Sequence, residues 1–430
     1  MSTPRRPLPL RIYSVAANLA APLAYNRISI KLATQGIGRE RQRERKGLAT
    51  KKRPRGTCLW FHAASVGESL SVLNLISRIG EECPNWNFLL TSGTATSAEI
   101  LASRLPERTI HQFAPLDSTA SIDRFLNYWQ PDAAIFVESE LWPNMLTTTR
   151  CRNIPLALIN ARISEKSARS WKRFPATASF LLNQFRMIHC QDSRTAAHLT
   201  DLGLSRARSG INLKSLSGPL PFDHNAIREM REAIGNHPVW LASSTHAGED
   251  EIMLSAHRKT LEANKHGLLI LVPRHPHRGD DIEKLIADFG MRHSRRSKGG
   301  NVSGKIQVHL ADTLGETGLW YKLSPITCLC GSFSDVGGHN PYEPAFAGSA
   351  ILHGPRYANF KGAYTDLDAC GAGIEVRDAN SLADKLSHLA ENPEALGNMR
   401  EKALNFAFGQ QNVLGEFADE LCNALELKMR

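Results

Sequence analysis

The sequence contains no apolar run long enough to cross a bilayer. Its best candidate, residues 12–26 (IYSVAANLAAPLAYN), is uncharged over fifteen residues, short of the roughly 20 that a spanning helix needs. Cysteine is sparse and irregular, with eight in 430 residues at no repeating interval. That excludes a disulfide-stapled scaffold and reads as reduced thiols in a cytoplasmic protein. Paired metal-ligand spacings such as H-E-x-x-H are missing. His62, His246, His275 and His339 show no such spacing and read as hydrogen-bonding groups near strand ends. A hydrophobic share of 42% excludes a disordered chain, and 430 residues exceed one ordinary core, which gives two domains.

Net positive charge is missing from most of the chain, despite a total of +10. Residues 1–55 hold fourteen Lys and Arg against Glu40 and Glu44, so that segment carries +12 and the other 375 residues −2. A basic field over a whole domain points to nucleic acid, whereas a basic flank beside an apolar stretch points to an anionic membrane surface. Arg5, Arg6 and Arg11 precede residues 12–26, and Arg27 and Lys31 come after, which suits an interfacial helix. An export signal or a loose solvated arm fits the same composition. No nucleic-acid partner is expected, because the main body is slightly acidic.

Beyond the basic segment, short apolar runs alternate with stretches of helical period. Strands are expected at 58–62, 88–91, 133–137, 156–159 and 187–190, then at 239–242, 268–272, 327–330, 350–353 and 373–376. Their near-continuous apolarity predicts parallel sheets covered on both faces. The fold class is therefore α/β, doubly wound. The pattern breaks at GPLPFD (218–223). The expected division is an arm at 1–55, a first domain at 56–217, a linker at 218–235, and a second domain at 236–430 with a closing helix at 413–427. Trp60, Trp142 and Trp240 read as core.

In such sheets ligands sit beyond the carboxyl ends of strands. Strand 58–62 runs into AASVGE, placing Glu68 at a helix start, either as a general base or as a carboxylate stabilised by the helix dipole. Strand 133–137 delivers Glu138 and Glu140, one expected to face the cleft while the other holds structure. Strand 156–159 ends in NARISEKSAR, whose Asn, Arg and Lys suit either an anionic substrate or a solvated helix start. The second half reads as a nucleotide site. SSTHAGE offers hydroxyls and free N–H groups, PRHP a cation (Arg274), and GGHNPYEPA paired glycines with Glu343 placed for a ribose.

FHAASVGE, FVESELWPN, NARISEKSAR, SSTHAGEDE, LVPRHPHR, DTLGE and GGHNPYEPA, in this order and spacing from about Trp60 to Phe360, resemble the Kdo (3-deoxy-D-manno-octulosonic acid) transferase family of lipid A core glycosyltransferases. The resemblance implies a GT-B fold, two Rossmann-like domains facing across a cleft. It implies an inverting, metal-independent reaction without a cofactor, moving Kdo from CMP-Kdo to a lipid A precursor (lipid IVA) for lipopolysaccharide. It also implies a place at the cytoplasmic face of the inner membrane, peripheral or anchored through the N-terminal segment. Glu68 matches the family's catalytic base and Glu138 a position supporting the transition state. Pro273, Arg274, Leu314, Gly315, Glu316, Asn340, Pro341, Tyr342 and Glu343 match its CMP contacts. One departure stands out. The family usually reads Gly-x-Leu-Lys-Phe-Asp at the linker; here Pro221 takes the lysine's place, with Lys214 seven residues earlier. The alternatives are a GT-B transferase or epimerase using another nucleotide sugar, or a catalytically impaired member acting as a binding component.

Overall fold

Runs such as CLWFH, AAIFV and LLILV have no polar face, so as strands they must be covered on both sides. The computed structural model describes residues 6–204, 207–209, 213, 218–263 and 267–427; Lys214 lies outside them. The chain divides into two units, residues 1–216 with 413–430, and residues 217–412. Each is built on a seven-stranded sheet whose neighbouring strands pair in parallel.

The first unit holds β1 (Cys58–His62), β2 (Asn87–Ser92), β3 (Thr109–Phe113), β4 (Ala133–Val137), β5 (Leu156–Ala161), β6 (Met187–Cys190) and β7 (Ala207–Ser209). Their order is β3-β2-β1-β4-β5-β6-β7. The connections reverse direction between β1 and β4, and a crevice opens at such a switch point. β3 was not expected from the sequence, because TIHQF is too polar. It survives at the sheet edge because most of its polar groups are met, the buried Gln112 Nε2 excepted. Gln112 accepts the Trp129 indole N–H at 2.9 Å, His111 meets Ser92 and Arg41 at 2.8 Å each, and buried Glu44 accepts the Phe113 N–H at 2.7 Å.

Glu44 lies in the segment read as an arm, and the structure corrects that reading. The 3-10 turn Arg43–Lys46 caps the β3 edge: the Arg45 guanidinium donates to the Ala114 carbonyl at 2.6 Å, and the Arg45 carbonyl accepts from Leu116 N at 2.8 Å. Gly47 comes next with φ +79°, and a Cβ there would fall 1.9 Å from the Ser121 carbonyl oxygen, so only glycine fits. A 27-residue helix, Leu8–Thr34, lies against the same unit through Leu10 and Leu32 (both buried), Tyr13–Asp117 (2.8 Å) and Asn18–Thr119 (3.1 Å). Charge composition marked residues 1–55 as separate, but packing makes their described part belong to the first unit.

The second unit holds β8 (Val239–Thr245), β9 (Leu268–Pro273), β10 (His293–Arg295), β11 (Val308–Leu310), β12 (Ile326–Leu329), β13 (Ala350–His353) and β14 (Gly373–Glu375). The order β10-β11-β9-β8-β12-β13-β14 puts its switch point between β8 and β12. Two further corrections concern boundaries. Residues read as linker form a helix, His224–Ile234, whose Ile227, Met230 and Ile234 join this unit's core. The closing helix, Pro393–Ala424, is longer than expected and is shared. Met399 and Ala403 pack in the second unit, while Leu414, Phe417, Ala418 and Leu421 pack on Leu59 and Phe61 in the first. An apolar stripe switches partner partway along one helix, which composition cannot show.

Candidate active site

The carboxyl end of β1 is the natural starting point, since it borders the first unit's switch point. Ser65 caps the short helix Val66–Ser71, its hydroxyl accepting from Glu68 N at 3.3 Å. The Glu68 carboxylate answers on both oxygens: Oε1 accepts from the Ser65 hydroxyl and Oε2 from Ala64 N, each at 2.8 Å. This reciprocal cap locks the Glu68 rotamer. Burial raises the Glu68 pKa, the nearby charges of Glu140 and Glu138 raise it further, and the Ser65 and Ala64 hydrogen bonds only partly oppose them.

Glu138 comes directly after β4, across the switch point. Its backbone is left-handed, φ +57°, as is Asn160 at the end of β5, φ +51°. A non-glycine residue there is strained by about 1–3 kcal/mol. The turn is held by Glu138 N donating to the Ile159 carbonyl at 3.0 Å and by Asn160 Nδ2 donating to Glu138 Oε1 at 3.4 Å. Two positions apart, Glu138 and Glu140 would share a face of extended chain, and the structure places both near Glu68 where only one was expected to face the cleft. Both carboxylates sit close enough to Glu68 to raise its pKa.

Glu140 has its own partners. His62 Nε2 lies 3.3 Å from Glu140 Oε2, and the Trp142 indole N–H donates to the same oxygen. The other ring nitrogen of His62 lies 3.0 Å from the Thr91 hydroxyl, which accepts from Trp60 Nε1 at 2.8 Å. Burial pushes the Glu140 pKa up, but the His62 hydrogen bond and charge, with the Trp142 bond, hold it below the ordinary range. Two neighbouring carboxyls with pKa values driven apart are the usual signature of one proton acceptor and one permanent anion. Trp142 itself is 43% exposed, against the core expected of it; Trp60 and Trp240 are buried.

The second unit assembles its residues on the ends of β11, β9, β8 and β12. At the end of β8, Ser244 is left-handed (φ +61°) and the register with β9 shifts between Ser243 and Thr245. The chain then turns into the helix Glu249–Ala263. Glu249 is 1% exposed and accepts from His246 N (3.0 Å), Gly331 N (2.8 Å), Phe333 N (3.0 Å) and Ser334 Oγ (3.4 Å). One buried carboxylate therefore ties the loop after β8 to the loop after β12. Sequence reasoning did not single out Glu249; a Glu at a helix start carries no signal of burial. Beside it, Arg278 pairs with buried Asp250 and donates to the Thr245 carbonyl at 3.1 Å.

Three histidines of this unit, His246, His275 and His339, do converge. His246 and His339 stack with ring centroids 5.2 Å apart and Nε2 atoms at 2.9 Å, and His275 stands edge-on to His246 at 5.8 Å. One of the paired rings must donate and the other accept, so the accepting ring is neutral. Burial and then the charges of His246, Arg274 and His275 bring the His339 pKa down to about 4. Among the described residues no group of three or more His, Cys, Asp or Glu is arranged to hold a metal ion.

Arg274 is exposed at the end of β9, just after buried Pro273, and its N–H donates to the Thr245 carbonyl at 3.0 Å. Beyond β12, Asn340 accepts from Tyr342 N at 3.1 Å and donates to Glu343 at 3.4 Å, while the Tyr342 ring stacks on Phe406 at 4.7 Å. Pro341 is buried at the start of that helical turn, Tyr342–Phe346. Beyond β11, Leu314 is 81% exposed and Gly315 has φ +86°. Glu316 is already paired with Arg296 at 2.6 Å and with Thr313. The loop therefore offers a ligand its backbone and the Leu314 side chain before the Glu316 carboxylate. Pro221 is exposed beside this loop: a Cβ on Gly318, at the start of the next helix, would fall 2.4 Å from the Pro221 carbonyl oxygen.

Comparison with known proteins gives this arrangement a context. The sequence profile described as 3-Deoxy-D-manno-octulosonic-acid transferase (kdotransferase) matches residues 40–216. A 3-deoxy-D-manno-octulosonic acid transferase of Rickettsia bellii is 31% identical over 413 residues, 95% of this chain and 98% of its own. The Haemophilus influenzae protein of that name is 33% identical over 90% of this chain and 91% of its own. Among solved structures, a glycosyltransferase from Rickettsia africae aligns with a TM-score of 0.59 at 11% identity, covering 87% of this chain and all of that one. A UDP-GlcNAc 2-epimerase from Neisseria meningitidis aligns at 0.55 with 13% identity over 86% of this chain and 99% of its own. At those identities the likeness shows the fold alone, an α/β fold of GT-B type.

Proposed function

This chain belongs to the 3-deoxy-D-manno-octulosonic acid (Kdo) transferase family and is a glycosyltransferase; on that premise we propose that it moves Kdo from CMP-Kdo to lipid IVA, inverting and without a metal. The observation that carries this reading is the state of Glu68. It is fixed by a reciprocal cap at the switch point and pushed toward a higher pKa by burial and two carboxylates. A general base works best when its pKa approaches the working pH.

Each residue then has a task. Glu68 takes the proton of an acceptor hydroxyl as its oxygen bonds to the anomeric carbon and the bond to CMP breaks. Glu138, held in a strained turn, supports the positive charge developing on the sugar ring. Arg274 offsets the CMP phosphate. Glu343, oriented by Asn340, accepts from the ribose hydroxyls. Pro273, Pro341, Tyr342 and the 314–316 loop shape the nucleotide's surroundings.

Glu140 tunes the base. Glu68 works as a carboxylate, so activity is lost as pH falls through its pKa. Glu140→Gln removes a like charge and lowers that pKa, so the acid limb of the kcat/KM profile moves to lower pH. A limb that stays in place or moves up contradicts the assignment. For the donor, Arg274→Ala is expected to raise the KM for CMP-Kdo roughly 10–100-fold, with a smaller change in kcat. CMP-Kdo turned over no better than UDP-sugars would sink the donor assignment.

The long N-terminal helix supports a membrane-surface location at the cytoplasmic face of the inner membrane. Leu8, Ile12, Val15, Leu19, Leu23 and Ile30 keep helical spacing and are 61–76% exposed, flanked by Arg11, Arg27 and Lys31. No helix among the described residues is long and apolar enough to cross a membrane. Pro221 favours a second reading. Where the resemblance implies a lysine, this chain has Pro221 beside the 314–316 loop, and a member that binds CMP-Kdo without turnover would result.

A further inference from the structure

Beyond the ends of β5 and β6, the first unit carries an open bowl of about 860 Å³. Arg162, Lys166, Arg169, Arg173 and Arg194 line it, against only two acids, Glu165 and Asp192. Both acids are already engaged. Glu165 pairs with Arg169 at 2.5 Å and Arg194 at 3.0 Å, and Asp192 caps the helix Ser193–Asp201 by accepting from Thr195 N at 2.7 Å. Among the described residues Arg162, Lys166 and Arg173 have no carboxylate partner. An ordinary solvated face intersperses its charges, and this one gathers cations into a concavity, where their mutual repulsion opposes the fold until an anion offsets it.

The position of the bowl matters as much as its charge. In the sheet order, β5 is next to β4, which is next to β1, so the bowl lies two to three strands from the end that carries Glu68. At about 4.8 Å per strand that is roughly 10–15 Å, a distance on the scale of a disaccharide. The turn after Glu138 is tied to the rim, since the Ser139 hydroxyl donates to the Arg162 carbonyl at 2.5 Å. Planar guanidinium groups suit phosphate oxygens better than point charges do.

We propose that this bowl binds a phosphate monoester of the sugar acceptor and so sets which hydroxyl reaches Glu68. The inference rests on the transferase reading above. It is tested with the triple variant Arg162→Ala/Lys166→Ala/Arg173→Ala, three exposed side chains outside the core. CMP release is compared for lipid IVA bearing both phosphates and for the same lipid with one removed, in detergent. The expected result is an acceptor KM raised 10–100-fold in the variant, with kcat changing less. In the wild type, removing one of the two phosphates reproduces most of that rise, and the KM for CMP-Kdo stays where it was.

An unchanged acceptor KM in the variant overturns the proposal. So does a variant that loses binding to phosphatidylglycerol vesicles while its acceptor KM in detergent is unaffected, which would make the bowl a headgroup patch. Binding of lipid IVA in micelles without donor separates this question from turnover. If the wild type releases no CMP, weaker lipid binding by the variant still supports the bowl, and equal binding rejects it.

Discussion

Glu68→Gln abolishes most acceptor-dependent CMP release while the protein stays folded. The amide keeps an oxygen for the Ala64 N–H, so the cap is weakened rather than lost, at a cost on the order of 0.5–1.5 kcal/mol. It cannot take a proton. Removing a positioned general base costs roughly 10²–10⁴-fold in rate, and that is the fall expected in kcat/KM. Stability measured by denaturant unfolding is the control, because Glu68 serves the helix cap as well as the chemistry. Activity that falls in proportion to stability, and no further, would reduce Glu68 to its structural task.

The largest stability effect is expected at Glu249. Glu249→Ala leaves the N–H groups of His246, Gly331 and Phe333 without their acceptor at the meeting of two buried loops. An unsatisfied buried donor costs about 1–3 kcal/mol, and water entering the gap recovers part of it. The expected loss is about 3–5 kcal/mol for the second unit, at the top of the usual range for single substitutions. CMP affinity should fall with it, because those loops carry the residues after β8 and β12. Glu249→Gln, with one good acceptor oxygen left, is expected to fall in between. Calorimetric unfolding with and without CMP checks both substitutions. An Ala variant within about 1 kcal/mol of the wild type would mean that the loops hold themselves together.

The parts of this molecule legible in its sequence are those dictated by continuous apolarity. Residues 58–62, 133–137, 187–190 and 350–353 form strands with the bounds their apolar runs suggest. β3 was hidden because its polar side chains are met only by tertiary partners. β7, β10 and β11 are three residues each, too short for any period to register. Residues 39–53 misled for a different reason. Their charge is real, but buried Glu44 and the close approach at Gly47 turn a basic stretch into a sheet edge cover.

At the site, the rule that ligands gather beyond strand ends singled out Glu68, Glu138, Arg274 and Glu343, and each follows a strand in the structure. It failed where local geometry departs from regular strand. Glu138 turns left-handed just after β4, and both Glu138 and Glu140 act on Glu68, where the sequence reading gave the cleft only one of them. The pairing of His62 with Glu140 and the hub at Glu249 join residues 78 and more than 80 positions apart in sequence, and no local pattern announces such contacts.

The measurement that bears most directly on the central claim is CMP release from CMP-Kdo by the wild-type chain in detergent. It would be run with and without lipid IVA and with EDTA present throughout, with the lipid product weighed by mass spectrometry. The expected result is lipid-dependent CMP release that survives EDTA, with the lipid gaining the mass of Kdo. CMP bound but not released, and a lipid of unchanged mass, would contradict the account and leave this chain as a binding member of its family.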